Sequence, residues 1–272
     1  MSPVVKLAGL TMYDLEPVRA ATDAWWTGLA KACRKEGLAD VPDHLWRGEA
    51  REDLWRAPNL LLSQTCGYPL LKHFTDDLTL LATPLYDTPG CHGPTYRSRI
   101  VVRDDSQAER LEDLRGGICA INDWDSQSGM NVLRHTIAPL AKDGRFFSEV
   151  KVAGKHHLSI AMIARGEADV AAIDCVTHGL MTRHEPHALA GTRVLMETDA
   201  APALPYVTGA GTSSLDRQRL RAALFRAIAD PDLAAVRTAL LIKGFADQSL
   251  EDYGVMLEME AGAVATGYSK LK

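Results

Sequence analysis

At 272 residues the chain has room for one large domain or for two lobes of roughly 100 to 150 residues each. Hydrophobic residues make up 46% and charged residues 24%, with no apolar run of about 18 residues, which describes a globular chain and excludes a membrane-spanning one. The formal net charge of −5 argues against a general nucleic-acid binder, which needs a basic face, but does not bear on a small anion held by local amide dipoles.

In chain order, Met1 leads straight into an apolar segment, Val4 to Leu10, with no basic n-region or small-residue cleavage site. As written the chain is expected to be cytoplasmic, and periplasmic if an export signal was trimmed. Further strands are predicted at Asn59 to Ser63, Leu78 to Thr83, Ser98 to Arg103, Ile118 to Ile121, Glu149 to Val152, Ala168 to Ile173 and Arg193 to Thr198. Helical patterns such as Val18 to Glu36 lie between them, and this alternation predicts βα units wound around parallel sheets. From Ser214 to Gly267 two or three amphipathic helices are expected, with Leu220, Leu224, Phe225 and Ile228 on one face and Ser213 or Ser214 as cap. Trp25 and Trp26 lie on the first long helix, and at least one is expected in the core.

Two Pro/Gly-rich segments, Thr88 to Pro94 and Ala200 to Pro205, read as hinges. They predict a discontinuous first lobe, residues 1–97 and 205–272 with the C-terminal helices, and a second lobe over 98–204, with a ligand cleft between the lobes. A single α/β sheet with long loops is the alternative. Five cysteines form no C-x-x-C pair, and Cys66 and Cys91, both in Gly/Pro-rich turns, are the pair to test for a bridge; free thiols are the other reading.

The richest stretch is Ile121 to Asn131. A strand ends there and a helix begins, with Asp125 or Ser126 able to cap and Val132, Leu133, Ile137 and Leu140 recurring at helical spacing. First-turn amides, the positive end of the helix dipole and the side chains of Ser126, Gln127 and Ser128 would converge on one point, which suits a phosphate, phosphonate or sulfate oxyanion. Ordinary N-capping explains the same residues.

The succession Tyr96 to Arg103, Leu111-Glu112-Asp113-Leu114-Arg115-Gly116, Asn122 to Gly129, Gly154-Lys155-His156 and Gly166 to Asp174 resembles the phosphate/phosphite/phosphonate substrate-binding proteins of ABC transporters. The resemblance implies a two-lobed α/β fold of the type 2 periplasmic-binding-protein kind that closes on an oxyanion. It implies no catalytic residue, no cofactor and no metal, a small oxyanion as ligand, an ABC transporter permease as partner, and neither nucleic-acid binding nor membrane insertion. Matched residue by residue, the family's S-T-S-like tripeptide falls on Ser126, Gln127 and Ser128, its aromatic hydroxyl on Tyr96, and its turn histidine on His156. That histidine can donate to an anion and is expected to bind better when protonated.

Asp174 ends a buried strand, where it either accepts a proton from a P–OH group or caps the next helix. Aminoalkylphosphonate binders of this kind carry a glutamate two positions later, where this chain has Val176. An aminoalkyl tail is therefore not expected. The first lobe offers Tyr13 and Thr65 after its strands, at the ends where open α/β sheets bind ligands.

Other arrangements are weaker. His178, His184 and His187 near Glu185 lack zinc spacing, and Pro186 breaks any helix carrying them. Cys175 beside His156 or His157 would be the skeleton of a thiol nucleophile, without an evident third group. A cytoplasmic enzyme of the same fold and a ligand-sensing module are the rival functions.

Overall fold

The computed structural model describes residues 5–272. Val4, the start of the first expected strand, lies outside the described residues. The strands are β1 (Leu7–Gly9), β2 (Leu60–Gln64), β3 (Leu78–Tyr86), β4 (Thr95–Tyr96), β5 (Ser98–Arg103), β6 (Ile118–Ile121), β7 (Glu149–Val152), β8 (Val170–Asp174), β9 (Thr192–Glu197), β10 (Ala201–Pro202), β11 (Tyr206–Gly209) and β12 (Ile242–Ala246). The helices are α1 (Arg19–Lys35), α2 (Arg51–Trp55), α3 (Gly67–His73), α4 (Val132–Ile137), α5 (His156–Ala164), α6 (Cys175–His184), α7 (Ser214–Ala229), α8 (Ala234–Ala239) and α9 (Val255–Ala265).

The chain forms two compact units: residues up to Asp87 with Pro202–Asp252, and Thr88–Ala201 with Tyr253–Lys272. Both divisions fall earlier than the sequence suggests, and the C-terminal segment belongs to the second unit instead of the first. The reason is local packing. α9 buries Met256, Met259 and Ala263, and its Met256 carbonyl accepts from Asn131 Nδ2 at 2.8 Å. Beyond it, the Ser269 carbonyl accepts from Arg134 at 3.0 Å and the Lys272 carbonyl from the Phe146 N–H at 2.7 Å.

In unit 1 the sheet order is β1-β2-β11-β3-β12, with β1 and β2 parallel and both β11 and β12 antiparallel to β3. α1 covers it with Trp25, Trp26, Leu29 and Ala30 on its buried face, so both tryptophans are core. On α7, Ser213 caps by accepting from Asp216 N–H at 3.1 Å; Leu220 and Leu224 are buried, but Phe225 is exposed.

In unit 2 the order is β7-β6-β8-β5-β9, with β6 parallel to β7 and β8, and β5 antiparallel to β8 and β9. Neither sheet is the purely parallel one expected. β5 runs against its neighbours in the second sheet, and β11 and β12 do so in the first. β8 (Val-Ala-Ala-Ile-Asp) is buried along its whole length, as a strand covered on both faces should be.

Candidate functional site

β6 delivers the chain at Ile121 into a turn whose first residues form one π-helical turn, Gln127–Asn131, continued by α4. The Ser126 carbonyl accepts from the N–H groups of Met130 (3.3 Å) and Asn131 (2.9 Å), and Ser126 Oγ accepts from Gly129 N–H at 2.9 Å. Ser126 is therefore the cap. The amides of Gln127 and Ser128 come earlier in the turn, where a helix leaves its N–H groups without intrahelical acceptors. π-turns occur mostly singly and often at functional sites.

Gly129 allows the turn to pass under its neighbours: a Cβ there would lie 1.8 Å from Asn122 Oδ1 and 3.3 Å from His156 Cε1. Asn122 Oδ1 is itself buried without a hydrogen-bond partner among the described residues. Ser128 Oγ lies 3.5 Å from Ser126 Oγ and 2.8 Å from His156 Nε2. His156 reaches this position because Gly154, at φ +86°, turns the chain and Lys155 takes the N-cap position of α5 in extended conformation, leaving His156 as the first helical residue. Burial pushes its pKa down to about 3, helped by the neighbouring His157 and only partly opposed by the Ala172 backbone. Desolvation of the imidazole disfavours the protonated form, the one the sequence reading expects to bind an anion better.

Gln127 does not join the cluster. Its Nε2 donates to Met259 Sδ at 3.2 Å and its Oε1 accepts from Asn131 Nδ2 at 2.7 Å. Arg134 donates to Asn131 Oδ1 at 2.6 Å, so a buried polar chain fastens the turn to α9. Gln127 can give the site its backbone N–H; its side chain is engaged by Met259 and Asn131.

Asp174 is 1% exposed and caps α6, with Oδ1 accepting from the N–H groups of Val176 (2.7 Å) and Thr177 (3.0 Å). Of its two expected roles, the cap is the one these contacts fulfil. Tyr96 is buried just before β5, whose Ser98 is in register with Asp174. Cys175 is no activated nucleophile. Its thiol hydrogen-bonds Cys91 with the sulfurs 3.5 Å apart, and that bond and burial push its pKa far up. All five cysteines are free, and Cys91 neighbours Cys175 where a partnership with Cys66 had been the pairing to test.

Tyr13 and Thr65 belong to unit 1. Thr65 is fully buried, its N–H bonded to the Pro205 carbonyl at 3.1 Å. Tyr13 packs edge-on against Tyr86, ring centroids 5.4 Å apart, beside a pocket of about 20 Å³ that Trp25, Gln64 and Tyr206 also line. Gln64 Nε2 donates to Tyr86 Oη at 2.9 Å, and Trp25 Nε1 to Tyr206 Oη at 3.1 Å. Of this set the sequence pointed to Tyr13 and, as a core candidate, Trp25; it did not bring Gln64, Tyr86 and Tyr206 together with them. Their one signal was position: Gln64 and Tyr86 end their strands, and Tyr206 starts one running the opposite way.

The family model for the phosphonate-type periplasmic substrate-binding protein of ABC transporters matches residues 60–253. No curated protein matches the chain by sequence. Among solved structures, a binding protein component of an ABC phosphonate transporter from Pseudomonas aeruginosa is similar at 15% identity and TM-score 0.78, over 97% of this chain and 88% of that one. PhnD1 from Prochlorococcus marinus, in complex with methylphosphonate, is similar at 14% identity and TM-score 0.73, over 94% and 97%. A Xanthomonas citri protein bound to chloride ion is similar at 17% identity and TM-score 0.72, over 96% and 98%. These likenesses establish the two-sheet α/β periplasmic-binding-protein fold.

Proposed function

Because the chain belongs to the periplasmic substrate-binding proteins of ABC phosphonate transporters, we propose that it captures a small phosphorus oxyanion: phosphate, phosphite or a simple phosphonate. Its partner on this reading is the permease of such a transporter. The observation that carries the reading is the 2.8 Å contact between Ser128 Oγ and His156, a half-buried ring whose pKa is pushed down, beside the first-turn amides. The roles in that contact depend on the tautomer: a ring protonated at Nε2 donates to Ser128 Oγ and frees the hydroxyl hydrogen for an oxyanion, whereas a ring that keeps its proton on Nδ1 accepts that hydrogen at Nε2. The backbone N–H groups of Gln127 and Ser128 add donors at the positive end of the helix. A neutral ring makes no demand for a fully ionised ligand.

The tail is expected to be small and uncharged. Val176 is apolar and fully buried where aminoalkylphosphonate binders place a carboxylate, so an ammonium group finds no partner there. PhnD1 holds methylphosphonate, a ligand of this size.

Calorimetric titration against phosphate, phosphite, methylphosphonate, aminoethylphosphonate, sulfate and acetate tests the reading. A phosphorus oxyanion without an amine is expected to bind best, and the response is expected to vanish in the Ser126→Ala/Ser128→Ala double variant. Silence towards every phosphorus oxyanion refutes it.

A further inference from the structure

Cys91 stands in the Thr88–Pro94 turn, partly open to solvent, and its Sγ lies 3.5 Å from that of Cys175. Cys175 is the first residue of α6, is 0% exposed, directly follows Asp174, and holds the Arg97 carbonyl through its N–H at 3.1 Å. The turn is laid tightly on the helix start. A Cβ at Gly90 would come within 2.8 Å of Cys175 Cβ, and Gly90 sits at φ +96°, a conformation other residues rarely adopt. A disulfide needs its sulfurs at about 2.05 Å, so closure asks for an approach of roughly 1.5 Å, within reach of a χ1 rotation and a small shift of the turn. The oxyanion turn uses neither thiol.

We propose that Cys91 and Cys175 form a dithiol–disulfide couple that, when oxidised, pins the Thr88–Pro94 turn to the start of α6. Oxidation by a small disulfide such as oxidised glutathione follows from access. The Cys91 thiolate attacks one glutathione sulfur, the glutathione S–S bond breaks, one glutathione thiolate leaves and takes up a proton, and a mixed disulfide remains on Cys91. Cys175 then attacks the Cys91 sulfur, the mixed S–S bond breaks, and the departing glutathione thiolate takes up the Cys175 proton. Two protein thiols are oxidised and one glutathione disulfide is reduced to two thiols. The order matters because the hydrogen bond to Cys91 and burial both oppose ionisation of Cys175. The mixed disulfide removes the first of these obstacles.

The two positions are 84 residues apart in sequence, so the bridge closes a long loop and strongly restricts the unfolded chain. It also flanks the segments that carry Tyr96 and Asp174. Cys33 and Cys119 are buried, with thiol pKa values raised chiefly by burial, that of Cys33 to about 12. They serve as internal controls.

The full chain is equilibrated with reduced and oxidised glutathione at graded ratios, quenched in acid, alkylated after denaturation and mapped by mass spectrometry. Oxidation is expected to take the free thiols from five to three, with one cross-linked peptide pair containing Cys91 and Cys175. It should raise Tm by roughly 5 °C or more. In Cys91→Ser, at a position only partly open to solvent, four thiols should stay free at every ratio and Tm should not move with oxidation. Five free thiols at the most oxidising ratio, glutathione retained on Cys91 without a bridge, or a map joining any other pair overturns the assignment.

Discussion

At the scale of single residues, Ser126 and Ser128 look interchangeable in sequence but do different work. Ser126 Oγ is taken up by Gly129 N–H, so Ser126→Ala should cost about 1 kcal/mol in urea unfolding through loss of the cap. Ser128 contacts His156 and caps nothing; Ser128→Ala takes that partner from the ring, so it should cost about 1–3 kcal/mol in urea unfolding and weaken the oxyanion about tenfold or more, the worth of one hydrogen bond to a charged group. If Ser128→Ala binds as tightly as the parent protein, the relay from His156 is wrong. Gly129→Ala gives a sharper test, because the new methyl would meet Asn122 Oδ1 at 1.8 Å. It is expected to destabilise by about 1–3 kcal/mol, and adding Asn122→Ala should restore part of that loss. Additive losses in the double variant would show that Asn122 is not the obstacle.

Between residues and the whole, elements explain which features were legible in the sequence. β5, β6 and β7 match their expected bounds residue for residue: β5 and β6 are short runs rich in β-branched residues, and β7 alternates charged residues with valines, each bounded by turn residues. β11 and β12 escaped notice. Tyr206–Gly209 and Ile242–Ala246 are brief runs containing glycine, and they become strands only because β3 offers both of its edges to them. The oxyanion turn was visible as a strand end with capping residues; the direction of the Gln127 side chain was not, since it depends on α9, more than a hundred residues away. That dependence is testable. Met259→Ala removes the sulfur that receives Gln127 Nε2 together with a buried side chain, and should cost roughly 2–4 kcal/mol. Oxyanion affinity should fall with it, because the turn loses its anchor. A variant that is destabilised yet binds normally would separate α9 from the site.

For the molecule as a whole, half-buried histidines set the response to acid. The His156 pKa is held near 3 by burial and His157; that of His178 is pushed down to about 4 by burial and by the Arg99 guanidinium, 2.8 Å from its Nδ1. Burial and Lys155 also lower the pKa of His157, against the pull of Glu185. In the unfolded chain these rings protonate near 6.5, so between about pH 6.5 and 4 the unfolded state binds more protons and stability falls as pH falls. Each fully shifted ring contributes at most about 1.4 kcal/mol per pH unit over that window. Asp113 and Glu167 have lowered pKa values, set first by the Glu109 N–H and by Arg165 respectively; such carboxylates stabilise above their unfolded pKa and are lost only at lower pH, below about 4. The urea midpoint is therefore expected to be flat from pH 8 to 7 and to drop steadily towards pH 4.5. His156→Gln, which keeps an N–H donor at the position of Nε2 but cannot titrate, should show a shallower drop. Identical slopes for the two proteins would mean that His156 is not held neutral. Oxyanion affinity over pH 5 to 8 should follow the ionisation of the ligand alone, since the ring beside Ser128 gains no proton in that range.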